Sequence, residues 1–194
     1  MKRSIGVKEI LFPNPMCVVG AYDEAGKANM AAIAWAGIVA SVPPSVGISV
    51  RPSRYTHVCI KRRGAFTISV PSLHYLKEAD YFGLASGRDA DKLAVTGLTA
   101  VRGAFVDAPY IEEFPYVLEC AVTHSIEIGS HTLFVGEVKD ARADAELFDE
   151  QGHVDWAAGQ IVCYDMSANS YYSVGENVGK AFSVGAGFLQ KGGA

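Results

Sequence analysis

Apolar and polar residues alternate along several stretches of this chain at the two-residue period of a half-buried strand. Val46, Ile48 and Val50 share one face of SVGISV, and Phe66, Ile68 and Val70 share one face of AFTISV. The longest alternation, YVLECAVTHSIEI (residues 116–128), predicts a long strand. HTLFVGEVKDARA (131–143) predicts its antiparallel return across a Gly129-Ser130 turn, with Gly136 as a bulge. MCVVGAY (16–22) is apolar enough for a buried strand, and the turn DEAGK, with Gly26 free to take positive φ, leads back into ANMAAIAW (28–35). Shorter strands are expected at 98–101 and 161–164. Pro43-Pro44 interrupts the chain before the strand that holds Val46, and loops or turns are expected at Ala108-Pro109 and around residues 149–152.

The pattern changes after Pro52, which cannot continue a ladder. Thr56 is placed to cap a helix whose apolar face begins at Val58, Cys59 and Ile60. Lys61, Arg62 and Arg63 suit its negative C-terminal end, and Gly64 is a natural stop. A helical patch is expected over 73–82, and a short helix beginning at Asp89, running through Lys92 and closed by Gly97. Strands joined by hairpins, with few helices and no regular βαβα alternation, argue a mainly antiparallel barrel and against a flavodoxin-like parallel sheet. The GxG at Gly185-Ala186-Gly187 has no βαβ unit around it, and the small-residue end, 185–194, is expected to fray.

The 194 residues suit a single domain, 1–194, with its core at about 15–185 and ample material for a hydrophobic interior. Hydrophobic residues make up 49% and charged residues 20%, which argues against disorder. A net charge of -4 and the lack of a long basic run disfavour nucleic acid as a partner, while leaving room for a local basic pocket. Cys17, Cys59, Cys120 and Cys163 are far apart and form no C-x-x-C, so reduced, mostly buried thiols and a cytoplasmic location are expected. MKRSIGVKEILF lacks the apolar core of a signal peptide, and no apolar run is long enough to cross a membrane.

The candidate chemistry gathers between strand and helix. Arg51, Ser53, Arg54 and Thr56 offer two guanidinium forks and two hydroxyls beside free N–H groups at a helix start, the requirements of a bound phosphate. The same residues are also common in surface loops and plain caps. Ser86, Arg88 and Lys92 form a compact unit that either completes an anion site or is a solvated helix cap. Asn29 has the donor and acceptor to meet a heteroaromatic edge, or is an ordinary turn residue. The alanines after it leave space for something broad and flat, or for another protein element. His131 follows a turn, where it either donates to an anionic group or is simply exposed; no metal-ligand spacing surrounds it.

Taken together, GKANMAAIAW, VPPSVGISVRPSRYT, GAFTISVP, ADYFGLASGRDADK, GLT, LEC, GSHTLFVGEV and YYSVGE, in this order and spacing, resemble the flavin reductase-like family of FMN-binding split barrels, especially its flavoredoxin branch. The resemblance implies a six-stranded antiparallel Greek-key split β-barrel with a few short flanking helices. It also implies a homodimer with FMN near the subunit interface. Carried onto this chain, it makes Arg51, Ser53, Arg54 and Thr56 the phosphate end and Lys92 a second cation beside the flavin. Asn29 and Trp35 become flavin-lining residues, His131 a polar contact, and Tyr164 a residue along the ring. Tyr171 and Tyr172 are candidates to cover the site. Lys92 and His131 are candidates to tune the flavin, with no certain catalytic residue. The implied activity is NAD(P)H:FMN oxidoreduction, the choice between NADH and NADPH being open. The alternatives are a flavoredoxin-type electron carrier serving a redox protein, and a non-catalytic module for flavin or another aromatic phosphate.

Overall fold

In the computed structural model, which describes residues 1–191, the alternating stretches are strands. In chain order come β1 (Asn14–Pro15), β2 (Cys17–Tyr22), β3 (Ala28–Ile33), β4 (Ala36–Ser41), β5 (Pro44–Val50), α1 (Tyr55–Arg63), β6 (Ala65–Val70), α2 (Leu76–Leu84) and α3 (Lys92–Thr96). β7 (Ala100–Arg102) pairs with β8 (Pro109–Ile111), β9 (Tyr116–Ile128) with β10 (His131–Ala143), and β11 (Val162–Asp165) with β12 (Ser170–Ser173). The main sheet is antiparallel, in the order β3-β2-β6-β9-β10-β5-β4. The β9–β10 register shifts at Val135/Gly136, the expected bulge, where a Cβ on residue 136 would lie 2.7 Å from the Phe66 ring. The Ser49 N–H of β5 donates to the carbonyl of Trp35, the residue before β4, at 2.9 Å and so extends the β4–β5 ladder.

The main sheet has seven strands, not six. The extra one, β4, reads AGIVAS and lacks the clean alternation that marks its neighbours. It pairs only with β5, at the edge, where Ile38 and Val39 face outward. The mainly β, split-barrel class stands. β8 likewise occupies part of what the Ala108-Pro109 signal suggests is loop, and the helical patch lies at 73–84, a 3-10 turn followed by α2. Part of the glycine-rich end, 192–194, lies outside the described residues; Ala186–Lys191 form a 3-10 helix.

Two apolar layers meet on β2. Val19 packs inward with Ile48, Ile60, Phe66 and Phe134; Val18 packs outward with Met30, Phe82, Ile111 and Phe114. Burial on both faces explains why this strand is apolar throughout. α1 plugs the barrel with Cys59 and Ile60 and ends at Gly64 (φ 64°), whose N–H bonds the Ile60 carbonyl. Thr56 is not its cap. Arg54 is, with extended backbone and no side-chain cap bond; the helix begins at Tyr55, so Thr56 is already its second residue, and its hydroxyl accepts from Asn29. α3 starts later than Asp89: that residue's N–H and that of Ala90 turn back to the Ser86 carbonyl, and Asp91 caps the helix by accepting from Ala94. Cys17, Cys59 and Cys120 are buried and free. No helix among the described residues is long and apolar enough to cross a membrane.

One carboxylate ties the β7–β8 hairpin to the sheet. Glu119 on β9 is fully buried and accepts from the backbone N–H groups of Ala104 (3.1 Å), Phe105 (2.7 Å) and Val106 (3.2 Å). Arg142 on β10 completes the set. Glu119→Ala would leave three buried backbone donors unmatched, with Arg142 keeping only Asp140, and urea denaturation is expected to show a loss of about 3–5 kcal/mol. Hydrogen exchange should show the amides of Ala104, Phe105 and Val106 losing protection first.

Candidate functional site

Where β5 gives way to α1, the chain has to reverse from barrel wall to barrel plug. The turn that does so opens onto a cleft of about 600 Å³. The Arg54 N–H donates to the Arg51 carbonyl at 3.0 Å, and Arg51, Ser53 and Arg54 stand exposed on the cleft's rim. Neither guanidinium has a carboxylate partner among the described residues. The N-terminal N–H groups of α1 also lack a side-chain cap. Charge, hydroxyls and helix dipole thus converge on one end of the cleft. Arg88, outside the lining, reaches back to donate to the Ser53 carbonyl at 2.8 Å and lies 5.3 Å from the centre of the Tyr55 ring.

Ser86 and Lys92 bring the α2–α3 connection to the same end. Lys92 is only 6% exposed, and its Nζ donates to the carbonyls of Phe82 and Ala85, both at 3.3 Å, where α2 ends. Burial, reinforced by the nearby Arg54 charge, lowers its pKa to about 8. Along the wall run Ala31, Ala32 and Ala34, side chains small enough to leave a flat face.

Aromatic residues line the cleft as well, beginning beside Arg51, which the β5–β10 register sets opposite His131. Trp35 donates its indole N–H to Met166 Sδ at 3.3 Å and stacks, tilted by 40°, on His131 with ring centres 4.3 Å apart. Ser130 Oγ bonds His131 Nδ1 at 2.9 Å. Desolvation and then the Arg51 charge lower the pKa of His131, favouring a neutral imidazole at pH 7. Tyr164 donates to Asn169 at 2.7 Å and Tyr171 to Asp80 at 2.6 Å. Burial, followed by the Asp80 bond, raises the Tyr171 pKa and keeps its proton in place.

Trp35, Arg51, Ser53, Arg54, Thr56, Ser86, Lys92, His131 and Tyr164, all singled out from sequence, line this one cleft. Asn29 does not. It lies beneath Thr56, because β3 turns its side chain into the protein. Tyr172 faces away, edge-on to Phe12 at 5.6 Å. Tyr55, Asp80 and Asn169 are lining residues that the sequence reading passed over. Asp80 sits in a helical patch with nothing to distinguish it from a solvated charge. A place for an anion at one end and for a flat ring along the alanine wall is what the geometry provides.

The family model described as "Flavin reductase like domain" matches residues 10–161. The solved structure of the flavoredoxin of Desulfovibrio vulgaris (Miyazaki F) superposes with a TM-score of 0.92 at 44% identity, covering 95% of this chain and all of that one. A protein of Archaeoglobus fulgidus is 38% identical over 112 residues, 58% of this chain and 63% of its own length. A ferric-chelate reductase (NAD(P)H) of the same organism is 32% identical over 114 residues, 55% of this chain and 64% of its own. The chain therefore spans under two thirds of these two relatives.

The buried lysine sets a pH dependence. Below about pH 8 its desolvation cost is present in full. As pH rises from there towards the ordinary lysine value of 10.5, the folded state releases the proton first, so stability increases. Lys92→Met removes the charge, and denaturant unfolding of the ligand-free protein is expected to show a gain of about 1 kcal/mol at pH 7. The variant should also lack the rise between pH 8 and 10. An identical pH slope in both proteins would contradict the assignment.

Proposed function

The chain belongs to the flavin reductase-like family, and from that premise we propose that the cleft holds FMN and that the protein passes electrons to it from NAD(P)H. The observation that carries this reading is the pairing of two acid-free guanidiniums and an uncapped helix start with a wall of small residues in one cleft. The group fits these residues: the donors suit a phosphate dianion, and the alanine wall suits a flat ring. Arg51, Arg54, Ser53 and the first turn of α1 would hold the phosphate. Ala31, Ala32 and Ala34 would lie along the ring, and the Trp35–His131 pair would border it. When bound, the flavin supplies hydride and electron chemistry that no side chain can provide. Lys92 places an ammonium where negative charge on the ligand would be balanced, at low cost in reorganisation because two carbonyls already orient it. Tyr171 keeps its proton and, through Asp80, a fixed position.

A second reading is a carrier that exchanges electrons with a redox protein. The flavoredoxin likeness over 95% of the chain favours it. Three buried cysteines, with burial pushing Cys17 and Cys120 up to about 12 and Cys59 to about 11, would stay protonated and take no part in the redox chemistry.

We further propose a homodimer. Ile38 (80% exposed) and Val39 (52%) on β4, with Val42 (89%) in the turn just after it, crowd an apolar edge strand that solvent alone would leave prone to pairing. Sedimentation is expected to give a dimer, and the double variant Ile38→Asp, Val42→Asp a monomer; a wild-type monomer at all concentrations would refute this.

The function is tested by the visible spectrum of the FMN-reconstituted protein under anaerobic NADH and then NADPH. Bleaching within seconds by either nucleotide is the expected result. A yellow protein indifferent to both points to the carrier, and failure to take up FMN rejects the flavin reading.

A further inference from the structure

Asn29 lies one layer beneath the cleft, 5% exposed, and its Nδ2 donates to Thr56 Oγ1 at 2.8 Å. Thr56 is 2% exposed yet lines the cleft, and its hydroxyl has no other hydrogen bond among the described residues. A hydroxyl has a single proton to give. Because its inner side accepts from Asn29, that proton remains for an acceptor in the cleft. We infer that Asn29 is a positioning residue that orients the Thr56 hydroxyl as a donor to the ligand's phosphate, without touching the ligand itself.

The other half of the amide is unmatched: Asn29 Oδ1 is buried and has no hydrogen-bond partner among the described residues. The only hydrogen bond the side chain makes among them is the one its N–H gives to Thr56. Gly87 leaves the amide its space: a Cβ at that position would lie 2.1 Å from Oδ1 and 2.9 Å from the Tyr55 ring. Ser86 and Gly87 also line the cleft. One amide therefore sits between the start of α1 and the α2–α3 connection, and sets the direction of a hydrogen bond on the first while bearing on the second.

The inference rests on the FMN reading, and the test separates the two. Wild type, Asn29→Ala, Thr56→Val and the double variant are titrated with FMN and with riboflavin, which has the same rings and no phosphate. Asn29→Ala is expected to weaken FMN binding about tenfold, the scale of a lost hydrogen bond to a charged group, and to leave riboflavin within about twofold. The double variant should bind FMN no more weakly than Thr56→Val alone. Equal losses for both ligands would mean a general structural role, and additive losses for FMN would mean that Asn29 meets the ligand itself; either overturns the inference while leaving the FMN reading intact. If Asn29→Ala does not fold, Thr56→Val decides, since unchanged FMN affinity there overturns the inference. A wild type that binds neither ligand overturns both.

Discussion

The structure depends on α1 serving as the plug of the barrel. Cys59 and Ile60 must enter the interior beside Phe66 and Phe134, so the helix axis has little freedom. Its start must then face outward where β5 ends, and four residues remain to make the reversal. Those four are Arg51, Pro52, Ser53 and Arg54. Packing inside the barrel thus determines where a helix dipole and two guanidiniums emerge. The site is a by-product of how the core is closed.

Electrostatics at this end run against the rest of the molecule. The chain carries a net charge of -4, yet Arg51, Arg54 and Lys92 share one cleft with no carboxylate bonded to any of them among the described residues. Elsewhere, Arg62, Arg63, Arg102 and Arg142 are all paired with acids. Withholding counter-charges keeps these cations available and makes Lys92 the expensive member, since it alone is buried.

Much of this was legible from sequence where a residue's role is local. The long hairpin announces itself by alternation, Gly64 and Gly97 by their left-handed caps, and the Arg51–Thr56 turn by a change of period beside its cations. The misses share a cause, which is that the deciding partner lies far along the chain. Thr56 reads as a helix cap, and nothing local reveals that its hydroxyl meets Asn29, 27 residues away. Asp80 reads as a surface charge until Tyr171, 91 residues on, bonds it. β4 has too little side-chain pattern to be seen without β5 beside it.

The open end of the β4–β5 hairpin has a mechanical meaning. Trp35 and Ser49, joined by a backbone bond that continues the β4–β5 ladder, both line the cleft. Whatever occupied that space would touch both strands of the hairpin at once. A ligand held there would be a keystone as much as a cargo: binding the folded chain and not the unfolded one, it would draw the folding equilibrium along by mass action.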